Sequence, residues 1–321
     1  MEIQSVLILG GTGFIGSHIV AKLAETECRV TVPTRRESHA QHLLLLPDVE
    51  QVVEANVHDD RQLRELIRGQ DAVINLVGIL HGRPGNSGSA YGPEFARAHV
   101  ELPKRIVAAC AELGVHRFLH MSALGADRNA PSMYLRSKAD GEAAALSNPA
   151  VKTTVFRPSV VFGDQDHFLN MFASLQRLLP FMPLANPDAK FQPVYVEDVA
   201  QAFITALYDE HTAGKTYELA GPKVYTLREL VEIAGSYSGH PRPVLGMPHT
   251  LARLQAWVLE HLSNDPAITR DNLDSMKIDN VAHGPMAEEL GIEPTPLEAV
   301  APYYLRGLQP HMPVEVTHVR H

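Results

Sequence analysis

Three features of the sequence predict a doubly wound α/β fold, a parallel sheet followed by a smaller C-terminal α/β lobe. Apolar runs of strand length alternate with helix-period segments through the first half. A glycine cluster stands between the first strand and the first helix. After Pro158 the alternation weakens and breakers multiply, at Pro180, Pro183, Pro187, Pro193, Pro222, Pro241, Pro243 and Pro248. At 321 residues, 45% hydrophobic and 20% charged, the chain is globular in composition and long enough for roughly two lobes of about 150 residues. The expected division is 1–160 for the doubly wound unit, 161–310 for a smaller lobe interleaved with it, and a flexible tail at 311–321, where His311, His318 and His321 stand among Pro and Val.

Strands are expected at 5–10, 29–34, 51–56, 72–78, 117–122 and 153–157, several of them rich in Val and Ile, as strands buried on both faces require. The clearest helix runs over 94–113, where Phe95, Ala98, Leu102, Ile106, Ala109 and Leu113 recur at spacings of three and four and Gly114 ends it. In the second half a strand at 216–220 precedes an amphipathic helix at 227–237 that starts after Thr226, an N-cap residue.

Composition narrows the function. Lys plus Arg number 28 against 37 Asp plus Glu, a net charge of −9, which argues against a general nucleic-acid binder. No apolar run reaches the roughly 18 residues that span a bilayer. The start lacks a basic leader region, so a cytoplasmic location is expected. Cys28 and Cys110 lie far apart within periodic segments and read as small core residues.

The segment from Gly10 through Gly11, Thr12, Gly13, Phe14 and Ile15 to Gly16 follows the first strand and opens the first helix. In that setting glycines let a pyrophosphate approach backbone N–H groups at the positive end of a helix dipole. Dinucleotide sites that prefer NAD place an acid about 20 positions further on. Here the second strand ends in Arg35 and Arg36, so NADP(H) is preferred, with NAD(H) left open, because guanidinium groups suit a 2′-phosphate.

Tyr134 and Lys138 are four apart on one expected helix, and Ser122 ends a sheet strand. Hydride transfer to a carbonyl needs a proton donor at the nascent alkoxide. A Tyr becomes competent near neutrality when a neighbouring cation favours its phenolate, and a Ser can hydrogen-bond the carbonyl oxygen. His116 and His120 share a strand face too widely for one metal ion, and no metal site is assigned.

The glycine loop, Asn75-Leu76-Val77-Gly78, Ser122 and Tyr134-Leu135-Arg136-Ser137-Lys138 together resemble the short-chain dehydrogenase/reductase superfamily. Arg157 to Gly163 and Pro193 to Ala200 resemble segments of its extended, epimerase/dehydratase-like branch, which carries the match to about residue 220. The wording of 74–80, 120–126, 134–139 and 266–281 is similar to the Rossmann-fold NADPH-binding accessory subunit of mitochondrial complex I and its bacterial relatives. The resemblance implies a Ser122-Tyr134-Lys138 triad. It also implies cofactor contacts from Gly10, Thr12, Gly13, Phe14, Ile15, Gly16, Arg35, Arg36, Asn56, Val57, Leu76, Val77, Gly78, Tyr134, Lys138, Pro158 and Val161. Two departures stand beside it: Leu9 where the epimerases usually have Thr, and 12 positions from Ser122 to Tyr134, a shorter gap than theirs. Sugar-nucleotide specificity is therefore not carried over.

Two functions follow as expectations. One is an NADP(H)-dependent oxidoreductase or epimerase acting on a small carbonyl or alcohol, quinone- or lipid-related. The other is a non-catalytic NADPH-binding subunit, assembly factor or redox sensor of a respiratory complex, peripheral to the inner membrane. Two further features bear on them. The breaker-rich stretch Gly82, Pro84, Gly85, Gly88, Gly92 and Pro93 reads as a substrate lid or as a surface loop. The stretch 250–262, with Leu251, Leu254, Trp257, Val258, Leu259 and Leu262, is expected to pack on the small lobe, with a partner or membrane-interface face as the alternative. Substrate identity and self-association into a homo-oligomer are not readable from the sequence.

Overall fold

The computed structural model describes residues 3–36, 49–86, 88–262, 266 and 268–306. The tail at 311–321 lies outside the described residues. The main sheet has seven parallel strands, and its first five in sequence are β1 (Ser5–Leu9), β2 (Arg29–Thr34), β3 (Val49–Glu54), β4 (Ala72–Asn75) and β5 (Arg117–Met121). With β6 (Lys152–Pro158) and β11 (Thr216–Leu219) the spatial order is β11-β6-β5-β4-β1-β2-β3. The order reverses between β1 and β4. Open α/β sheets bind ligands at such a switch point, beyond the carboxyl ends of the strands.

Every residue of the central strands β1 and β5 is buried because helices cover both sheet faces. One face packs α1 (Phe14–Leu23) and α7 (Val196–Tyr208) around Ile8, Ile19, Leu119, Phe156 and Phe203. The other packs α2 (Asp60–Ile67) and α4 (Leu102–Leu113) around Leu7, Leu63, Val73, Ile106 and Phe118. Burying each such side chain stabilises the fold by about 1.5 to 3 kcal/mol. Cys28 and Cys110 are free and buried.

The helix expected over 94–113 is present but not uniform. It runs as α3 (Pro93–Phe95), a π-helical turn at Ala96–Glu101, then α4, and Gly114 at φ 75° ends it. The strand expected at 216–220 is present as well. It joins the edge of the main sheet beside β6, so the second half of the chain re-enters the first.

The small lobe gathers β8 (Met182–Ala185), α6 (Leu169–Leu178), α8 (Leu227–Tyr237) and α11 (Leu297–Leu305) around Leu169, Phe172, Leu230, Val231 and Leu297. Thr226 caps α8 in a reciprocal capping box with Glu229. Helix α9 (His249–Leu262) corrects an expectation: its large apolar residues do not pack on the lobe. Leu251, Leu254, Trp257 and Val258 are 39–55% exposed, while Ala252 and Ala256 face inward beside Ala185 and Leu273. The side of α9 that meets the lobe carries these small residues, and the bulky stripe is left outside.

Candidate active site

Beyond the carboxyl end of β1 the chain turns at Gly10, φ +84°, and enters α1 with Gly13 at the N-cap. No side chain caps α1 and no acid lies in its first turn, so its leading N–H groups are left to a ligand or solvent. Added side-chain atoms would fill the cradle. A Cβ at Gly16 would stand 2.3 Å from Gly10 O, and one at Gly10 would stand 3.1 Å from Leu76 C. A dinucleotide pyrophosphate fits this arrangement. Leu76, Val77 and Gly78 leave β4 alongside it, with Val77 N–H donating to Asn75 Oδ1 at 3.2 Å. Asn56 and Val57 follow β3, and Asn56 Oδ1 accepts from His58 N–H at 3.0 Å. Pro158 and Val161 bring the turn after β6 toward the same edge, where a Cβ on Gly163 would touch the Phe14 ring at 3.4 Å.

Arg35 and Arg36 are exposed just past β2. Sequence reasoning missed their companions. Burial, then Arg97, Arg105 and Arg35, push His58 down to about 4. Three arginines, from the end of β2, the π-helical turn and α4, therefore bring positive charge to one place, and Arg97, on a helix with no periodic signal for this role, had no mark in the sequence. Arg105 is already engaged, donating to His58 O at 2.8 Å and Asp60 Oδ1 at 3.2 Å.

The triad residues gather at the carboxyl end of β5. Ser122 follows that strand, buried, and its Oγ has no hydrogen-bond partner among the described residues. Tyr134 and Lys138 lie on α5 (Met133–Ala145), with the Lys138 ammonium 5.8 Å from the centre of the Tyr134 ring. Lys138 Nζ donates to Met121 O at 3.2 Å, and a Cβ on Gly78 would lie 3.3 Å from it. The electrostatics differ from the expected lowered phenol. Burial pushes the Tyr134 hydroxyl up to about 12, and the same burial pulls Lys138 down to about 8. Desolvation penalises both charged forms, and for Lys138 it outweighs the nearby Glu142 carboxylate, which favours the ammonium.

His99 is a second missed residue. It sits in the π-helical turn, 1% exposed, its ring centroid 5.6 Å from that of Tyr134. Its Nε2 accepts from Ile79 N–H at 3.0 Å, and Ser137 Oγ, 2.8 Å from Nδ1, already gives its own proton to Tyr134 O. Those bonds require the neutral Nδ1–H tautomer. Burial first, then the Lys138 charge, hold the imidazole down at about 2. A histidine on a buried helix face reads as core, and only the π-turn, a feature frequent at functional sites, marks it as unusual.

A cavity of about 760 Å³ opens beside the triad, between the two lobes. The breaker-rich loop forms one wall with His81, Gly82, Arg83 and Pro84; α9 and α10 (Arg270–Ser275) supply Arg253, His261 and Asp271. Met133 lies on the wall, but Ser122, Tyr134 and Lys138 do not. The loop is folded tightly on itself, since a Cβ at Gly85 would stand 2.5 Å from Tyr91 O. It is also tied to α5 by Arg136, whose Nε donates to Ala90 O at 2.8 Å. His116 is exposed, while His120 is buried with Nδ1 3.2 Å from Asn75 Nδ2, so the two are not co-ligands.

A parallel sheet with a glycine cradle at its switch point and a Ser, Tyr and Lys gathered beside it defines a short-chain dehydrogenase/reductase-like Rossmann protein. Comparison with known proteins agrees. Residues 6–220 match the NAD dependent epimerase/dehydratase family, and the chain belongs to that family. It is 32% identical over 308 residues to the mitochondrial NADH-ubiquinone oxidoreductase 40 kDa subunit of Neurospora crassa, covering 95% of this chain and 79% of that one. A ceramide reductase of Caulobacter vibrioides is 28% identical over 201 residues, 62% of this chain and 59% of its own. Among solved structures, UDP-glucuronic acid 4-epimerase from Bacillus cereus, in complex with UDP-glucuronic acid and NAD, superposes with a TM-score of 0.70 at 17% identity, covering 95% of this chain and 99% of that one. Among the described residues no helix is long and apolar enough to cross a membrane.

Proposed function

We propose that the protein is an NADP(H)-dependent oxidoreductase or epimerase that acts on a small carbonyl or alcohol, quinone- or lipid-related, with Tyr134 as proton donor. The observation that carries this reading is the buried Ser122 hydroxyl, without a partner among the described residues, next to Met121, whose carbonyl holds Lys138 on the helix of Tyr134. A buried polar group left open in this way is costly unless a ligand completes it.

The glycine loop binds the pyrophosphate through the N–H groups of α1. Arg35 and Arg36 take the 2′-phosphate, and Arg97 adds positive charge beside them. When bound, the dihydronicotinamide supplies a hydride to a carbonyl carbon. The substrate enters from the cavity between the lobes. Ser122 Oγ–H orients its carbonyl oxygen, and the Tyr134 hydroxyl, protonated at neutral pH, gives its proton to that oxygen as negative charge develops. Lys138, as an ammonium below about pH 8, stabilises the phenolate left on Tyr134. NAD(H) remains usable at lower affinity, since the pyrophosphate site does not depend on the arginines. Two relatives named above, a reductase and an epimerase, are enzymes by name.

A second reading, a non-catalytic NADPH-binding subunit docked on a respiratory complex at the inner membrane, is favoured by the outward apolar stripe of α9 and by the relative from that complex. The discriminating experiment is to incubate purified protein and NADPH with panels of aldehydes, ketones and quinones and follow dihydronicotinamide absorbance. Turnover of any carbonyl supports the enzyme; tight NADPH binding with no turnover across the panel supports the subunit.

A further inference from the structure

Residues 268–281 carry no nucleotide-binding motif, yet they touch three elements of the site. In α10, both carboxylate oxygens of Asp271 accept N–H groups at the start of α5: Oδ1 from Met133 at 2.7 Å and Oδ2 from Tyr134 at 3.0 Å. These are the leading donors that a helix leaves unpaired. Ser132 Oγ takes the next, from Leu135, at 3.2 Å. Further along, Ile278 lies over Gly125 in the loop after Ser122, where a Cβ would stand 3.0 Å from Ile278 Cδ1. At the far end, Asn280 Oδ1 accepts from Ser159 Oγ at 2.6 Å and from Val160 N–H at 3.0 Å, inside the Pro158–Val161 turn. Asp271 is 8% exposed and also lies on the cavity wall.

We infer that this segment is a strap that couples the small lobe to the reactive centre. Asp271 is a positioning residue that fixes the main chain beneath Tyr134, while Asn280 fixes the cofactor-side turn. Its catalytic consequence rests on Tyr134 as the proton donor; the coupling does not. A carboxylate suits the task because two oxygens meet two N–H groups at the positive end of a helix dipole, where an amide or hydroxyl would satisfy one. Moving the Tyr134 main chain moves its hydroxyl, and misplacing a reacting group by about 1 Å costs on the order of 100-fold in rate.

The test is hydrogen exchange on the full chain as wild type, Asp271→Leu, Asp271→Asn and Asn280→Ala, with and without NADPH, whose affinity is read separately from its fluorescence. Without nucleotide, Asp271→Leu should speed exchange over 133–137 by about tenfold, the scale of a lost cap, and Asp271→Asn, which keeps one acceptor, should restore part of it. NADPH should slow exchange over 271–281 in the wild type, and Asn280→Ala should abolish that slowing. With NADPH and phenanthrenequinone, Asp271→Leu should lower kcat about tenfold or more with KM nearly unchanged, again with partial rescue by Asn. Unchanged exchange over 133–137 in Asp271→Leu overturns the positioning role. A strap indifferent to bound NADPH overturns the coupling. Failure of NADPH and NADH to bind instead strikes the cofactor reading and the coupling together. A quinone left untouched by the wild type counts against the enzyme reading alone, since exchange without nucleotide still decides the role of Asp271.

Discussion

Helices α1 and α5 both begin at the carboxyl edge of the sheet, and their first turns are finished in opposite ways. On α1 no side chain caps the start, the N-cap is Gly13, and glycine backbone closes around the opening. On α5 the leading N–H groups of Met133, Tyr134 and Leu135 all have side-chain acceptors, two of them from the other lobe. A helix start left open is a place for an anion, and one closed by the protein is a rigid platform for a side chain. On the proposed function, the same backbone device is the binding site on one side of the switch point and the mounting on the other.

Closing the open start should have the largest effect. Gly16→Ala would drive a Cβ to 2.3 Å from Gly10 O and 2.7 Å from Gly11 Cα, both backbone atoms that cannot swing away. NADPH affinity measured by fluorescence titration should drop by roughly 100-fold or more, because the N–H cradle itself must shift. Affinity within a few-fold of wild type would break the comparison. Next in size is the charge beside that start. Replacing Arg35 and Arg36 by Ala should weaken NADPH by about 10- to 100-fold and leave NADH nearly unchanged, as lost bonds to a charged group would. Equal loss for both nucleotides would place the arginines elsewhere than on the 2′-phosphate.

On the mounted side the sign of the pH dependence sharpens the picture. Tyr134 keeps its proton up to about 12, so the reductive rate should not fall with its ionisation in the neutral range. Lys138 loses its charge at about 8, so that rate should decline as pH rises through 8, and a rate flat from pH 7 to 10 would remove Lys138 from the mechanism. A smaller effect concerns stability. His99 and His120 are held neutral, at about 2 and about 3, against the ordinary imidazole value of 6.5, so the unfolded chain binds more protons than the folded one below 6.5. Stability should therefore fall on acidification from about 6.5 downward, steepening to about 1.4 kcal/mol per pH unit for each buried imidazole. Thermal melts between pH 7 and 5 check it; a higher melting temperature at pH 5 would contradict it.

The open side was legible in the sequence because its signals are local. The glycines from Gly10 to Gly16 and the strand before them sit at fixed offsets that backbone geometry demands. The mounted side was legible only in part. Tyr134 and Lys138 four apart announce a shared helix face, but Asp271 reaches Tyr134 across 137 positions, and such a contact leaves no periodic trace. The direction of the Tyr134 shift was hidden for a related reason: it is set by how deeply the lobes bury α5, with Lys138 turned to Met121 O. For α9 the 3.6-residue pattern showed two faces without saying which one turns inward. The alanines took the inside, against Ala185 of β8 and Leu273 of α10.

The central claim is that Tyr134 is a proton donor mounted beside a working NADPH site. It is tested most directly by the rate of NADPH oxidation in wild type and Tyr134→Phe at saturating cofactor, with the carbonyl that the wild type reduces fastest. The account predicts unchanged NADPH affinity and a rate lowered by roughly 100-fold in the Phe variant. Equal rates in the two proteins would contradict it.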